Sequence, residues 1–200
     1  MMKKIVVATK NKGKANEFKE FFARENIEVL SLLDLDQSIP DIEETGETFE
    51  ENAILKAEGI AKRLNIPVLA DDSGLIIDAL DGRPGIYSAR YAGEDKNDKA
   101  NIQKVLEEMK DVPKKERTAR FICVLAIAMP QDKTIIRTGY CEGTIAFSES
   151  GENGFGYDPI FIPSGYQVSM AQLEPEEKNR ISHRKHALTE LEGWIQSLEL

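Results

Sequence analysis

Two adjacent carboxylates, Asp71 and Asp72, follow the apolar run Pro67-Val68-Leu69-Ala70 and precede Ser73-Gly74-Leu75. That order predicts a buried strand that reaches the acids at a sheet rim and then enters a Ser-Gly turn. Paired acids in such a place carry a desolvation cost that a metal, a cation or a proton-transfer task offsets. An Asp cap on the turn is the plain structural alternative. Three further segments carry chemistry that suits these acids. Ile5-Val6-Val7-Ala8 runs into Thr9-Lys10-Asn11-Lys12-Gly13-Lys14 and then a helical pattern. In a strand-loop-helix unit, backbone N–H groups and the helix N-terminus attract phosphate. The segment lacks the glycine spacing and the Lys-Ser/Thr ending of a Walker loop, and a solvated lysine-rich surface is the alternative. Gly154-Phe155-Gly156-Tyr157-Asp158-Pro159 sets glycines around an aromatic. Glycine lets backbone approach a flat ligand, and Phe155 or Tyr157 offers a ring to stack on a base; a Gly-rich turn with core aromatics is the alternative. Lys178-Asn179-Arg180-Ile181-Ser182-His183-Arg184 is a donor-rich patch before a C-terminal helix, or a Ser182 cap with solvated cations.

The elements that must hold these groups follow from periodicity. Ala15 to Phe22 reads as a helix with Phe18, Phe21 and Phe22 on one side. Thr48-x-x-Glu51 is a capping box opening a second helix, with Phe49, Ala53, Ala57, Ile60 and Leu64 at helical spacing. Asn52, Lys56 and Arg63 lie off that stripe, which leaves Lys56 either aimed into a cleft or solvated. Asn97 caps a third helix with the stripe Ile102, Val105, Leu106 and Met109. Phe121 to Met129 and Thr134 to Ile145 flank Pro130-Gln131-Asp132-Lys133 as a long antiparallel hairpin. The last helix uses Leu188, Leu191, Trp194, Ile195 and Leu198. Early strand-loop-helix units with a later hairpin give an α/β architecture containing a mixed sheet. Without repeats, low-complexity tracts or linkers, residues 1–200 read as one domain.

Composition narrows the function classes. The 200 residues carry 35 acids against 26 bases, a net charge of −9, which argues against a nonspecific nucleic-acid binder. Phosphate binding then has to be local, and a divalent metal reconciles an anionic ligand with anionic residues. The apolar run after Met2-Lys3-Lys4 is too short for a secretory signal. The longest apolar run, Phe121 to Met129, falls well below the ~20 residues of a membrane span. Cys123 and Cys141 lack ligand spacing and read as reduced packing residues. A cytoplasmic location is expected.

The segments together resemble the inosine/xanthosine triphosphate pyrophosphatase family, enzymes that hydrolyse non-canonical purine nucleoside triphosphates. The residues that carry the resemblance are Thr9-x-Asn11-x-x-Lys14, Glu43-Glu44-Thr45-Gly46 with Glu51-Asn52-Ala53, and Asp71-Asp72-Ser73-Gly74-Leu75. Pro84-Gly85-Ile86-Tyr87-Ser88-Ala89-Arg90, Gly154-Phe155-Gly156-Tyr157-Asp158-Pro159 and Lys178-x-x-Ile181-Ser182-His183-Arg184 continue it. Six motifs in order, from the first strand to the last helix, cover essentially the whole chain.

The resemblance implies an elongated central mixed sheet flanked by helices, two lobes with an intervening active-site cleft, and a homodimer. Neighbours on a strand face opposite ways, so Asp71-Asp72 and Glu43-Glu44 each offer one acid to a cleft, and periodicity does not choose which. The resemblance chooses Asp72 as catalytic carboxylate and metal ligand, with Glu44 as its metal partner. It places Thr9, Asn11, Lys14 and Lys56 around the triphosphate and adds the Ser73 hydroxyl, and the phosphate-loop reading extends the substrate contacts to Lys10, Lys12 and Gly13. Base contacts fall to Phe155, Gly156, Tyr157 and Asp158 with Lys178, His183 and Arg184. Donors aimed at a 6-keto oxygen accept hypoxanthine and xanthine and oppose the amino group of adenine. Magnesium is the expected cofactor, with manganese the alternative, and neither nucleic acid nor a membrane is an expected partner. Two departures stand out: Lys10 replaces a common glycine, and Met170-Ala171-Gln172-Leu173 lacks a usual Glu after its Ala. The rivals are a pyrophosphatase of modified pyrimidine nucleotides, a non-catalytic nucleotide sensor, and a small-molecule phosphatase releasing orthophosphate.

Overall fold

Short apolar runs that fit strands alternate with capped amphipathic helices along most of this chain. The computed structural model describes residues 3–23, 27–35, 39–40, 42–130 and 132–192. Six strands form one sheet: β1 (Lys3–Val7), β2 (Ile27–Ser31), β3 (Val68–Ile77), β4 (Thr118–Ala128), β5 (Ile135–Ile145) and β6 (Phe161–Pro163), in the order β2-β1-β3-β4-β5-β6. The helices are α1 (Lys12–Ala23), α2 (Phe49–Leu64), α3 (Asp98–Glu108), α4 (Pro175–Ile181) and α5 (His183–Thr189). β1 is parallel to both β2 and β3, with Val7 opposite Ser31 on one side and Leu69 on the other. β5 is antiparallel to β6, with Thr144 opposite Ile162. Residues 129–134 alone join the neighbours β4 and β5, too few for the dozen or so that a parallel crossover needs. The sheet is mixed, as the sequence pattern predicts.

The chain divides into two compact units. The first contains Met1–Asp72, Val124–Thr138 and Ala187–Leu200. Its buried side chains include Val6 and Val7 of β1, Phe18 and Phe22 of α1, and Ala53, Ala57 and Ile60 of α2. The capping box forms as read: Thr48 Oγ1 accepts the Glu51 N–H, and Glu51 Oε2 accepts the Thr48 N–H. The second unit contains Ser73–Cys123 and Gly139–His186. Leu75, Ile77, Ile102, Val105 and Phe161 belong to its core, where the Phe121 and Phe161 rings lie 4.4 Å apart. Arg117 is buried there too, and its guanidinium donates to the carbonyls of Met109, Val112, Ile145 and Ala146. Those bonds satisfy a cation that burial pushes towards a lower pKa.

One expectation needs correction. Ser73-Gly74 is not a turn: β3 continues through it, so Asp71 and Asp72 sit mid-strand. The apolar residues Leu75 and Ile77 beyond the acids keep the strand buried. Asn52 is buried as well, although it lies off the apolar stripe of α2, because its side chain finds a backbone donor. Cys123 and Cys141 are buried and form no disulfide among the described residues, in line with packing residues. Leu188 and Leu191 of the final stripe are buried; Trp194, Ile195 and Leu198, like Gln131 of the hairpin turn, lie outside the described residues. Among the described residues no helix is long and apolar enough to cross a membrane.

Candidate active site

The pairing of β1 with β3 positions the charged residues of the first unit. Val7 lies opposite Leu69 and the Ala8 N–H donates to the Leu69 carbonyl at 2.8 Å, so the chain leaves β1 alongside the acidic stretch of β3. Thr9 is buried there, and its Oγ1 accepts the Asn11 N–H at 3.1 Å. Asn11 Oδ1 in turn accepts the Lys14 N–H at 3.1 Å, closing the first turn of α1. This local winding carries Lys14 back over the strand, where its Nζ lies 2.7 Å from Asp71 Oδ2. Lys10, Asn11, Lys12 and Gly13 are exposed.

α2 supplies the opposing cation. Asn52 and Lys56 are four residues apart and share a helix face. Asn52 Oδ1 accepts the Gly46 N–H at 2.8 Å, which pins the segment carrying Glu44. A Cβ on Gly46 would come within 2.7 Å of that same oxygen, so the close approach requires glycine. Lys56 Nζ then lies 2.9 Å from Glu44 Oε1, 2.6 Å from the Asp71 carbonyl and 3.4 Å from Asp72 Oδ1. Lys56 is therefore neither solvated nor a lone cation; it joins the two acids chosen as metal ligands.

Three carboxylates, Glu44, Asp71 and Asp72, meet two ammonium groups, Lys14 and Lys56. Burial pushes the Asp72 carboxyl up to about 6, against the pull of Lys56 and with the push of Glu44 and Asp71. Burial also works against the Lys56 ammonium, but Asp72, Asp71 and Glu44 outweigh it and its pKa is raised. Asp72 Oδ2 is buried and has no hydrogen-bond partner among the described residues. An orphaned carboxylate oxygen and one excess acid suit a hard divalent cation, which uses one or two carboxylates and keeps several waters. No group of three or more His, Cys, Asp or Glu that could cage a metal occurs among the described residues. Glu44 and Asp72 are the carboxylates that could hold such a cation.

In the second unit, Gly154 to Asp158 forms a tight loop with φ of 82° at Gly154 and 60° at Gly156. Asp158 is buried, and its Oδ2 accepts the Phe155 N–H at 2.9 Å and lies 2.6 Å from Lys178 Nζ. A Cβ on Gly154 would sit 2.1 Å from that oxygen. Phe155 is 41% exposed, and Lys178 Nζ stands 4.6 Å from its ring centroid. Tyr157, by contrast, is buried with its hydroxyl donating to the Ser88 carbonyl. Its ring is therefore core, and Phe155 is the ring open to a ligand. The His183 ring stacks on Phe121 at 5.0 Å. Ser182 caps α5 by accepting the Lys185 N–H, yet Arg184 is buried rather than solvated, so the cap is only part of that segment's role. Ser73 is half-buried at the start of this unit.

Comparison with known proteins settles the family. A model of the Ham1 family matches residues 5–194. The chain belongs to the Ham1 family. A dITP/XTP pyrophosphatase of Oceanobacillus iheyensis is 68% identical over 197 residues, covering 98% of this chain and 100% of that protein. One of Halalkalibacterium halodurans is 59% identical over 194 residues, covering 97% and 100%. The structure of a HAM1 protein from Coxiella burnetii superposes with a TM-score of 0.90 at 44% identity, covering 98% of this chain and 100% of that one. The six-motif resemblance and the α/β expectation are borne out.

Several contacts of the Ham1 chain escaped the sequence reading. Asp71, the acid that the resemblance does not choose, anchors Lys14. Asn52 orders the Glu44 segment. Asp98, at the start of α3, accepts the Gly156 N–H at 2.8 Å across 58 residues of sequence. An i,i+4 spacing links Asn52 to Lys56; no comparable signal existed for Asp98.

Proposed function

We propose that this protein hydrolyses non-canonical purine nucleoside triphosphates, the inosine, deoxyinosine and xanthosine forms, to the monophosphate and pyrophosphate. Its Ham1 membership and full-length similarity to dITP/XTP pyrophosphatases support the substrate class. The observation that carries the chemistry is Asp72: a buried carboxylate with a raised pKa, one oxygen near Lys56 and the other free to accept a proton.

Hydrolysis of a triphosphate needs charge neutralisation, an oriented water and a proton acceptor. Lys14 and Lys56 bind phosphate oxygens by exchanging carboxylate partners for them, and Thr9, Asn11 and Ser73 add neutral donors, with Lys10, Lys12 and Gly13 at the rim of that loop. Asp72 Oδ2 takes the proton of water as its oxygen attacks the α-phosphorus. The bond from that phosphorus to the bridging oxygen breaks, and pyrophosphate leaves with the electron pair. A divalent cation held by Glu44 and Asp72, magnesium or alternatively manganese, supplies further charge neutralisation on the triphosphate.

For the base, Phe155 is the stacking ring, and His183, Arg184 and Lys178 are the side-chain donors facing a 6-keto group. Gly156, Tyr157 and Asp158 contribute through the backbone and the Asp158–Lys178 pair rather than through the Tyr157 ring. The family resemblance further supports one catalytic domain over residues 1–200, a homodimer and a cytoplasmic location, while the net charge of −9 speaks against nucleic acid as a partner.

Product identity tests the reading. Purified protein with magnesium receives inosine triphosphate or adenosine triphosphate, and pyrophosphate and orthophosphate are both quantified. Pyrophosphate from the inosine substrate, with little from the adenosine one, is expected. Orthophosphate, or equal use of both nucleotides, would overturn it.

A further inference from the structure

We infer that Asp98 is a positioning residue for base recognition, holding the Phe155 loop in its binding geometry before nucleotide arrives. The inference rests on the proposed function and adds a residue that no motif contained.

Phe155 stands between two glycines that both have positive φ. Glycine loses more conformational freedom on ordering than any other residue, so an exposed ring on this tether is costly to fix at the moment of binding. Two carboxylates fix it in advance through consecutive amides. Asp158 Oδ2 accepts the Phe155 N–H, and Asp98 Oδ2 accepts the Gly156 N–H at 2.8 Å. Asp158 belongs to the loop itself, and through Lys178 it also reaches α4. Asp98 ties the loop to a separate element.

That element is well anchored. Asn97 Oδ1 accepts the Ala100 N–H and caps α3. The buried Asn101, one turn on, accepts the Ala92 N–H at 2.7 Å and donates to the Ala89 carbonyl at 3.1 Å. The same stretch is reached from the loop by Tyr157, whose hydroxyl donates to the Ser88 carbonyl at 2.8 Å. Gly156 and Tyr157 are thus clamped to neighbouring parts of one framework, with Phe155 projecting just ahead of them. Ordering the loop beforehand lowers the entropic cost of binding without adding a contact to the ligand. With its Gly156 N–H already engaged, the loop also offers fewer backbone donors to a base than its sequence suggests.

The test compares wild type with Asp98→Ala, which removes the acceptor, Asp98→Asn, which keeps one, and Asn97→Ala, which weakens the same helix without touching Gly156. Two readouts are taken: deuterium exchange of the amides of residues 154–158 in nucleotide-free protein, and KM and kcat for inosine triphosphate. Asp98→Ala is expected to speed exchange at Gly156 and raise KM about three- to tenfold, the effect of one hydrogen bond, with kcat changed less than twofold. Asp98→Asn should restore most of both, and Asn97→Ala should lower the melting temperature without raising KM. Unchanged exchange in Asp98→Ala, unchanged KM, or an Asn97→Ala variant with the same KM defect each overturns the positioning role. A wild type that releases no pyrophosphate overturns the proposed function and this inference with it, whereas an active wild type with an indifferent Asp98→Ala overturns only the latter.

Discussion

Lys56 approaches Asp72 from one side only: its ammonium lies 3.4 Å from Oδ1, while Oδ2 is buried and accepts no hydrogen bond among the described residues. The carboxylate is held but not saturated. A structural ion pair satisfies both oxygens, because an unpaired buried acceptor costs about 1–3 kcal/mol. An acid that must receive a proton or a cation keeps one oxygen open.

Asp72→Asn should therefore retain the fold and nucleotide binding while losing turnover by about two to four orders of magnitude, the usual worth of a positioned base. Its stability should differ from wild type in a pH-dependent way. In metal-free protein the folded Asp72 titrates near 6 against 3.8 for the unconstrained group, so the native state holds its proton longer than the unfolded chain. Wild type then loses up to about 3 kcal/mol as pH rises through that window, and the variant does not. Melting curves from pH 4 to pH 7 with a chelator check this; a constant difference across the range would remove the assignment.

Lys56→Met leaves Glu44 and Asp72 without their shared cation and removes one donor from the Asp71 carbonyl. Breaking a largely buried pair in this way should cost about 2–3 kcal/mol at pH 8. The loss should shrink at pH 5, where Asp72 is protonated. Urea unfolding at the two pH values decides it, and equal losses would mean that Lys56 contributes packing alone.

Gly154→Ala places a Cβ 2.1 Å from Asp158 Oδ2 and 2.9 Å from Lys178 Nζ at a φ of 82°. Gly156→Ala shares the positive φ but meets nothing within 4 Å. The first variant should lose about 1–3 kcal/mol and the second about 1 kcal/mol. KM for inosine triphosphate should rise more in the first. Equal effects would show that backbone strain, not the Asp158–Lys178 pair, sets this loop.

Arg184 is 2% exposed, so alanine there should lower both stability and substrate use, and cannot separate the two roles. Arg184→Lys keeps the charge and most of the volume but loses the planar fork. Inosine triphosphate use should drop about tenfold or more, with the melting temperature shifting by only a few degrees. Unaltered kinetics would assign Arg184 to the core.

Much of this protein is set by the order of its residues alone. The α1, α2 and α3 helices, the Thr48–Glu51 box, the Asn97 cap and the β4–β5 hairpin all depend on contacts within a few residues, so local pattern suffices to reveal them. The six motifs likewise carry the family. The tertiary structure decided what becomes of each charge. Whether Lys56 is solvated, which of two adjacent acids keeps an open oxygen, and whether Arg184 is exposed depend on desolvation and on partners up to 57 residues away, as with Lys14 and Asp71. The continuation of β3 past Ser73-Gly74 was hidden for the same reason. A turn signal is a local preference of modest strength, and burial of Leu75 and Ile77 in the second unit's core outweighs it. Asp98 and Gly156 are the extreme case: nothing in either residue's neighbourhood names the other, and only the folded chain puts a carboxylate on that amide.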